Sequence, residues 1–314
     1  MTRRSRRTRV AAGAVLLLVG LTACGDDGDG GPTPSATSSS SATTTSAPTA
    51  TPSTSAPNTG TPTPSTTTTG STLRSIPVYY VGESRRAVRL FREFRSVPDT
   101  GGPVASAVDA MTRLAPLDRD YSSPWRPARR VAVSQTGSAL TVDLSGDAFS
   151  NTSVGSESAG LAIQQLVHTA TAAAAQSGRP ATTVTITKDG RAADVWGVVR
   201  VGSPVRRAPM ADVQAHAWVV SPQQGQAVRA GRVAFTGFGT SFEATFSWVV
   251  RTETGTVVAR GSAMGGTGTG GFGTVPFSAT LTRGTYVVTL STDDPSGGAE
   301  GSGPATDDKS FVVR

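Results

Sequence analysis

The sequence has 314 residues and a formal net charge of +7, with 29 Lys and Arg against 22 Asp and Glu. Five arginines lie within residues 1–24, which contain no acid, and the surplus over residues 73–314 is too dilute for the basic stripe of a nucleic-acid-binding protein. The single cysteine excludes an internal disulfide, so residues 73–314 must fold around apolar cores, and they suffice for two ordinary domains.

The N-terminal segment is typical of an export signal. Arginines precede an apolar stretch, residues 10–21, which is shorter than the about 20 residues that a membrane-spanning helix needs. It runs into Leu21-Thr22-Ala23-Cys24, which resembles the lipobox of bacterial lipoproteins. The resemblance implies cleavage between Ala23 and Cys24, a signal peptide over residues 1–23, and lipid attachment at Cys24. An uncleaved anchor or a buried core helix is the alternative.

The next segment, residues 24–72, is a predicted disordered stalk. After Cys24 it consists almost wholly of Gly, Asp, Ser, Thr, Pro and Ala, without an aromatic residue, Leu, Ile or Val. Such a composition buries too little apolar surface to offset the entropy of ordering the chain. As a flexible coil it would span on the order of 40 Å, enough to hold a domain away from a membrane.

Residues 73–200 form the first predicted domain, of the α+β class. Strands are predicted at Ile76–Val81 and Val88–Val97, and a helix follows Pro103 until Pro116 ends it. Further strands, a second helix and a last strand come next, and we expect a mixed sheet with two helices on one face. The two helices are indicated by apolar residues at spacings of three and four. The first has Val104, Ala107, Val108, Met111 and Leu114, and the second runs from Ser156 to the stop at Gly178 and Pro180. The remaining strands are indicated by alternation, at Val131–Val133, Leu140–Leu144 and Thr183–Thr187.

Several short motifs in this domain, in their order and spacing, resemble the sporulation and germination domain called GerMN. They are Val78-Tyr-Tyr-Val-Gly82, Leu114-Ala-Pro116, Thr141-Val-Asp-Leu-Ser145 with Phe149, Gln165-Leu-Val-His-Thr169 and Val184-Thr-Ile-Thr-Lys-Asp-Gly190. The match covers about residues 74–200, and Ala115 departs from the glycine that the family often has there. The resemblance implies a compact α/β module, related in shape to the ring-building domains of secretion machines, with no known catalysis.

A connector over residues 201–216 leads into a second predicted domain, residues 217–314. Six or seven short strands with turns between them indicate an all-β sandwich. Without a cysteine pair it is not a disulfide-linked antibody-type domain. Ser221-Pro222, Thr236-Gly237, Phe246-Ser-Trp248 and Pro276-Phe277 resemble the immunoglobulin-like domain that commonly follows GerMN domains in envelope proteins.

Few residues are candidates for chemistry. We interpret His168, on the second helix, as a packed or surface histidine, and His216 lies at the connector. The sequence has neither metal-ligand spacing nor a nucleophile elbow, and we predict no catalytic, cofactor-binding or metal-binding residue. The stretch Gly268-Thr-Gly-Gly-Phe-Gly273 spells a dinucleotide motif but lacks a following helix, so we interpret it as a hairpin loop.

Two charged clusters leave alternatives open. The pairs Asp293-Asp294 and Asp307-Asp308 could converge on Ca²⁺, although their spacing is not that of a calcium loop and solvated acids fit as well. A basic run could contact anionic lipid or wall polymer, or could be the solvated face of a strand. It consists of Arg85, Arg86, Arg89, Arg92 and Arg95.

Together these features predict a non-enzymatic lipoprotein on the outer face of the cell membrane. Its expected activity is protein interaction or assembly with an envelope protein partner, and it needs no cofactor. The alternative hypothesis is a module that binds cell-wall polymer or glycan, and a hydrolase with an unrecognised site ranks third. Nucleic acid is not an expected partner.

Overall fold

The structure, a computed structural model, describes residues 73–85, 87–293 and 303–314. These residues fall within one compact unit. The predicted signal peptide, the cleavage site between Ala23 and Cys24, the lipid attachment and the stalk lie outside the described residues, as do Arg86 and Asp294. Among the described helices, none combines the length and the apolar character needed to cross a bilayer.

The first part of the chain is a mixed α/β domain, as predicted. Its strands divide between two sheets and a small hairpin: an antiparallel sheet in the order β2-β1-β3, a mixed sheet in the order β4-β5-β6-β9, and the pair β7-β8. The elements are β1 (Leu73–Ser84), β2 (Ala87–Pro98), α1 (Pro103–Arg113), β3 (Tyr121–Ser122), β4 (Val131–Thr136), β5 (Ala139–Leu144), α2 (Ser156–Gln176), β6 (Thr183–Lys188), β7 (Ala193–Val195), β8 (Val199–Val201), β9 (Pro204–Val205) and α3 (Met210–Val213).

Helix α1 buries the apolar stripe that its spacing predicts. Val104, Ala107, Val108 and Met111 are all in the core. Leu114, which we expected to complete the stripe, adopts an extended conformation just beyond the helix and is partly exposed. The helix ends one residue early because the residue before a proline, here Ala115, is disfavoured in helical geometry.

Helix α2 is buried on more than the one face that its apolar spacing predicts. Both helices contact β1, and each also contacts the second sheet, α1 through β4 and α2 through β6. The apolar face of α2 packs in the main core with Leu166 and Ala170. The polar residues Gln165, His168 and Thr169 are also fully buried, on the side of β1. A hydrophobic stripe alone underestimates the burial of a helix that is covered on two sides.

The stretch predicted as a connector carries structure of its own. Pro204–Val205 pairs with Val184 and Thr185 of β6, so this part extends the sheet of the first domain. Helix α3 follows, and Gln214 then bridges to Leu90 on the outer side of β2. These segments have only two to four residues, too few for a periodic pattern.

The second part is an all-β sandwich, as predicted. Its two sheets have the orders β10-β12-β15 and β11-β17-β16-β13-β14. Phe235 lies in the core, stacked on Phe277 with centroids 5.0 Å apart and edge-on to Phe311. The strands are β10 (Ala217–Ser221), β11 (Ala227–Val228), β12 (Gly231–Gly239), β13 (Thr245–Thr252), β14 (Val257–Met264), β15 (Gly273–Leu281), β16 (Gly284–Thr292) and β17 (Thr306–Val313).

Candidate functional site: the domain junction, an open strand edge and a polar cleft

Two of the sequence motifs bind each other and close one edge of β1. The backbone N–H of Tyr79 donates to Oγ1 of Thr169 at 3.1 Å, and its carbonyl accepts from Nε2 of Gln165 at 2.8 Å. The ring of His168 meets the Tyr79 ring edge-on at 5.3 Å. Because all these groups are buried, the motifs Val78–Gly82 and Gln165–Thr169 serve the interior of the fold.

His168 is therefore a packed histidine, one of the two readings that the sequence left open. Its Nδ1 lies 3.1 Å from Nε2 of the buried Gln214. Burial, followed by the nearby charge of Arg207, lowers the pKa of His168 from 6.5 to about 3. The imidazole is consequently neutral at neutral pH, and its full burial denies it contact with a substrate.

A second pair of motifs, Thr141–Ser145 and Val184–Gly190, fixes the turn after β6. One carboxylate oxygen of Asp143 accepts from the Thr187 hydroxyl at 2.7 Å and from the Gly190 N–H at 2.6 Å, while Arg130 donates to the other. Burial acts to raise the pKa of Asp143, but these hydrogen bonds outweigh it and the pKa is lowered. The Asp143 carboxylate thus stays ionised as a structural acceptor.

A buried carboxylate organises the loop between α1 and β3. Glu93 accepts hydrogen bonds from the backbone N–H groups of Leu117 and Asp118, at 2.9 and 3.0 Å. Arg95 pairs with Glu93 at 3.2 Å and also donates to the Ala115 carbonyl at 2.7 Å. The loop around Pro116 is held in place by this ion pair, and it presents the side chain of Asp118 to the sandwich.

The junction between the two domains is built around one buried lysine. Nζ of Lys309, on β17, lies 2.6 Å from Oδ2 of Asp118, 2.6 Å from the Tyr121 hydroxyl, and 2.8 and 2.9 Å from the two oxygens of Asp307. Asp307 also accepts from Tyr121 at 2.5 Å and from the N–H of Val219 at 2.7 Å. We call these four side chains, Asp118, Tyr121, Asp307 and Lys309, the junction network.

The electrostatics of the junction network favour a protonated lysine. Burial acts to lower the pKa of Lys309, but the two carboxylates outweigh it and the pKa is raised. Burial and then the charge of Asp307 raise the pKa of Tyr121 well above 10, so its hydroxyl remains a donor. The ammonium group of Lys309 stands where a Ca²⁺ ion would bind Asp307, which opposes the calcium interpretation of that aspartate.

A glutamine from the sandwich closes the outer edge of β2. Oε1 of Gln223 accepts from the Phe94 N–H at 2.5 Å, and Nε2 donates to the Phe94 carbonyl at 3.0 Å. The side-chain amide thereby replaces one peptide unit of a neighbouring strand. Further along the same edge, the N–H of Ala215 donates to the Leu90 carbonyl at 3.0 Å.

Arginines of the basic run contact other groups of the protein and do not form one solvated face. Arg95 binds Glu93, and Arg92 lies over the rings of Phe94 and Phe238, at 5.2 and 5.7 Å from their centroids. Arg85 stands in the turn after β1 with a left-handed φ of 52°, and its Nε donates to the Gly303 carbonyl at 2.7 Å. Arg92 and Arg95 are therefore engaged within the molecule.

In contrast to these closed edges, β14 is an open edge strand. It pairs with β13 on one side, and no other described strand pairs with its outer side. Val257, Val258 and Met264 expose 47, 45 and 69% of their surface. An edge of eight residues with free backbone groups is a template onto which another strand can add.

A cleft of about 500 Å³, which we call the polar cleft after its charged side chains, opens beside His216 and the loop 268–270. Arg85 from the turn after β1 and Ala211 from α3 also line it. This loop belongs to the stretch Gly268–Gly273, which leads from β14 to the first residue of β15. The hairpin interpretation is wrong, because β14 and β15 lie in different sheets and the loop crosses from one sheet to the other. Asp293 lines the cleft, whereas Asp307 is in the junction network, so these aspartates do not converge. Within the described part of the chain, no group of three or more His, Cys, Asp or Glu could hold a metal ion.

Comparison with known proteins finds one family match in each of the two folded parts of the chain. Residues 77–194 match a family model described as "Sporulation and spore germination". Residues 216–299 match a second model, described as "Immunoglobulin-like domain of bacterial spore germination". No curated protein matches the chain.

Two solved structures match parts of this chain at low identity. The tandem GerMN domains of the sporulation protein GerM from Bacillus subtilis are 12% identical over 47% of this chain and 49% of that chain, with a TM-score of 0.32. CopC from Methylosinus trichosporium OB3b is 21% identical over 31% of this chain and 93% of its own, with a TM-score of 0.24. The chain thus spans about half the length of the GerM structure that it matches.

Proposed function

We propose that this chain, which joins a sporulation and spore germination domain to the immunoglobulin-like domain of bacterial spore germination, is a non-enzymatic interaction module of the cell envelope. It is anchored through a lipid on Cys24, on the outer face of the cell membrane, and it binds an envelope protein. Neither family description names a catalytic activity.

The open edge of β14 is the observation that carries this proposal. Its occupant would be an extended segment of another envelope protein, which forms backbone hydrogen bonds with the strand. The exposed Val257 and Met264 stand at its two ends and would add apolar contacts to that segment. Arg260, near the middle of the strand, favours a segment with an acidic residue at the facing position.

The junction network supports the same function by another route. It joins the two domains through buried, mutually paired groups, so that a partner held on β14 would also have a defined orientation relative to the first domain. The stalk composition supports a reach on the order of 40 Å from the membrane surface. Such an arrangement suits an assembly scaffold.

The partner proposal is tested by charging the open edge. In cells that produce the full chain, Val257→Lys combined with Val258→Lys should abolish recovery of the co-purifying envelope protein, because charged side chains block strand addition. The matched control is Val88→Lys, since Val88 is also an exposed strand valine, at 47%. Equal recovery with the edge variant and the control would reject β14 as the binding site.

Hydrogen exchange gives a direct readout of the binding mode. Once the partner is purified, amide exchange of residues 257–264 should slow in the complex with the full chain, because the outer N–H groups acquire acceptors. Protection elsewhere, with none on β14, would mean that the partner uses another surface.

The anchor is tested separately. Cys24→Ala should prevent incorporation of labelled fatty acid and move the protein from the membrane fraction to the medium or the precursor pool, since a single acylated cysteine is the proposed attachment. The control is Ser35→Ala in the stalk, which leaves the cysteine intact. Fatty-acid labelling that persists in Cys24→Ala would contradict the anchor and leave the partner proposal standing.

A further inference from the structure

The polar cleft beside His216 is lined by side chains with polar groups that have no hydrogen-bond or ion-pair partner among the described residues. Within the described residues, no hydrogen bond or ion pair engages the terminal guanidinium nitrogens of Arg85, the ring nitrogens of His216, the Thr240 hydroxyl or the Asp293 carboxylate. The cleft therefore offers a cation, an anion, a hydroxyl and an imidazole together. Burial, followed by the charges of Arg85 and Arg89, lowers the pKa of His216, which keeps its ring neutral and able both to donate and to accept.

An exposed aromatic ring completes one wall. Phe242 lines the cleft, and 60% of its surface is exposed. The next two residues hold left-handed backbone conformations, with φ of 50° at Glu243 and 57° at Ala244. Non-glycine residues adopt this conformation at a cost that persists only where the surroundings impose it. The turn is fixed by hydrogen bonds of Ala244 to Ser241 and Gly265.

The loop next to this turn is preformed as well. Gly268, Thr269 and Gly270 line the cleft, and the loop is tied by Thr267. The N–H of Thr267 donates to the Gly271 carbonyl at 2.9 Å, and its Oγ1 accepts from the Gly271 N–H at 2.9 Å. A binding site whose walls are ordered before the ligand arrives loses less entropy on binding.

From this geometry we propose that the cleft binds a pyranose residue of a glycan. The hydroxyls of a sugar both donate and accept, which matches a carboxylate, a guanidinium and a hydroxyl side by side. Its apolar C–H face matches the exposed ring of Phe242. An anionic ligand such as phosphate fits less well, because Asp293 would repel it, and an apolar ligand would strip water from four polar groups.

This inference goes beyond the proposed protein partner and does not depend on it. The cleft adjoins the end of β14 at Met264, which pairs with Thr245 next to the Phe242 turn. The other end of β14, at Val257, pairs with Arg251. A glycan in the cleft would therefore lie near the Met264 end of β14, whereas Val257 and Val258, which test the strand partner, lie at the other end.

The experiment is calorimetric titration of the full chain with two soluble probes, chitotetraose and cellotetraose. We expect at least one to bind with a Kd on the order of 1 mM or tighter. Phe242→Ala should weaken that binding about tenfold or more, and Asp293→Asn should weaken it as well. Val257→Ala is the matched control, since it shortens an exposed apolar side chain at the far end of β14 and should leave the Kd unchanged.

Three results would overturn the proposal. One is the absence of binding by either tetrasaccharide at roughly 10 mM. Another is binding that Phe242→Ala leaves unchanged while the protein remains folded by circular dichroism. The third is binding of inorganic phosphate, titrated in parallel, with no tetrasaccharide bound, because that would make the cleft an anion site. Loss of the protein partner in the Val257 and Val258 variants has no bearing on any of the three.

Discussion

The domain junction and the outer edge of β14 belong to the same sandwich but differ in how their polar groups are satisfied. At the junction, side chains of one domain bind polar groups of the other, as Gln223 does for the backbone of Phe94. Along β14 the outer backbone groups have no partner among the described strands. Since buried polar groups must be paired and exposed ones need not be, the junction is committed to the fold and β14 remains free for another chain.

The difference has an energetic consequence. A substitution at the junction leaves its former partners buried without a counterpart, which is costly even when the lost bond itself was weak. A substitution on the outer edge of β14 leaves the neighbouring groups in contact with water, as they were before. Stability measurements should therefore separate the two regions sharply.

The largest effect is expected for Lys309→Met. The variant leaves the buried carboxylates of Asp118 and Asp307 without their cation, which should lower the free energy of unfolding by about 3–5 kcal/mol. Denaturant unfolding of the full chain measures it. Lys188→Met is the matched control, because Lys188, the other of the chain's two lysines, forms no ion pair with a described residue, and its Nζ lies 6.0 Å from the centroid of the Phe149 ring. A cost below about 1 kcal/mol for Lys309→Met would mean that the network does not hold the domains together.

Alkaline pH should weaken the junction next. In the folded protein the pKa of Lys309 is raised above its ordinary value of 10.5, and the pKa of Tyr121 above its ordinary value of 10.0. At a pH between the ordinary pKa and the raised one, the folded protein keeps a proton that the unfolded chain has lost. Their contribution is complete below about pH 10 and declines as the pH rises further. Unfolding measured at about pH 9 and 11 should show a steeper loss for the wild type than for Lys309→Met combined with Tyr121→Phe. Equal losses would contradict the raised pKa values.

The same contrast explains which parts of the molecule the sequence could predict. Helix α2 and the sandwich strands carry periodic apolar residues, so their existence and type could be predicted, although the burial of the polar side of α2 could not. The junction network joins Tyr121 to Asp307 across 186 residues, and no local pattern reports such a contact. The GerMN-like motifs indicated the family, but their residues turned out to serve packing.

One signal at the junction was nevertheless present in the sequence. Along β17, Asp307, Lys309, Phe311 and Val313 share the same alternation, and all four are buried. Two charges in register with two core residues predict a buried ion pair better than a solvated acidic pair. The cleft could not be predicted in this way, because Phe242 is exposed at a turn with left-handed residues, which the composition of the sequence does not indicate.

Among single hydrogen-bonded side chains, Gln223→Ala should have an intermediate effect. It frees both backbone groups of Phe94 at a partly buried edge, and we expect a loss of about 1–2 kcal/mol. Gln224→Ala is the control, since Gln224 accepts from the Ser310 N–H and donates to the Ser310 hydroxyl within the sandwich. Amide exchange should accelerate at Phe94 in the first variant and at Ser310 in the second. Acceleration at both sites in both variants would show that the two glutamines act on one cooperative unit rather than on separate edges.

The smallest effect is expected on the open edge. Val257→Lys should change the free energy of unfolding by no more than about 0.5 kcal/mol, because the side chain is already half exposed and its strand has no neighbour on that side among the described residues. Denaturant unfolding of the full chain, beside Val233→Lys as a buried strand valine of the same sandwich, makes the comparison. If Val257→Lys proved as damaging as Val233→Lys, the outer edge of β14 would have to be covered within the chain itself. A near-neutral result, combined with loss of the envelope partner, would assign the exposed edge to binding rather than to folding.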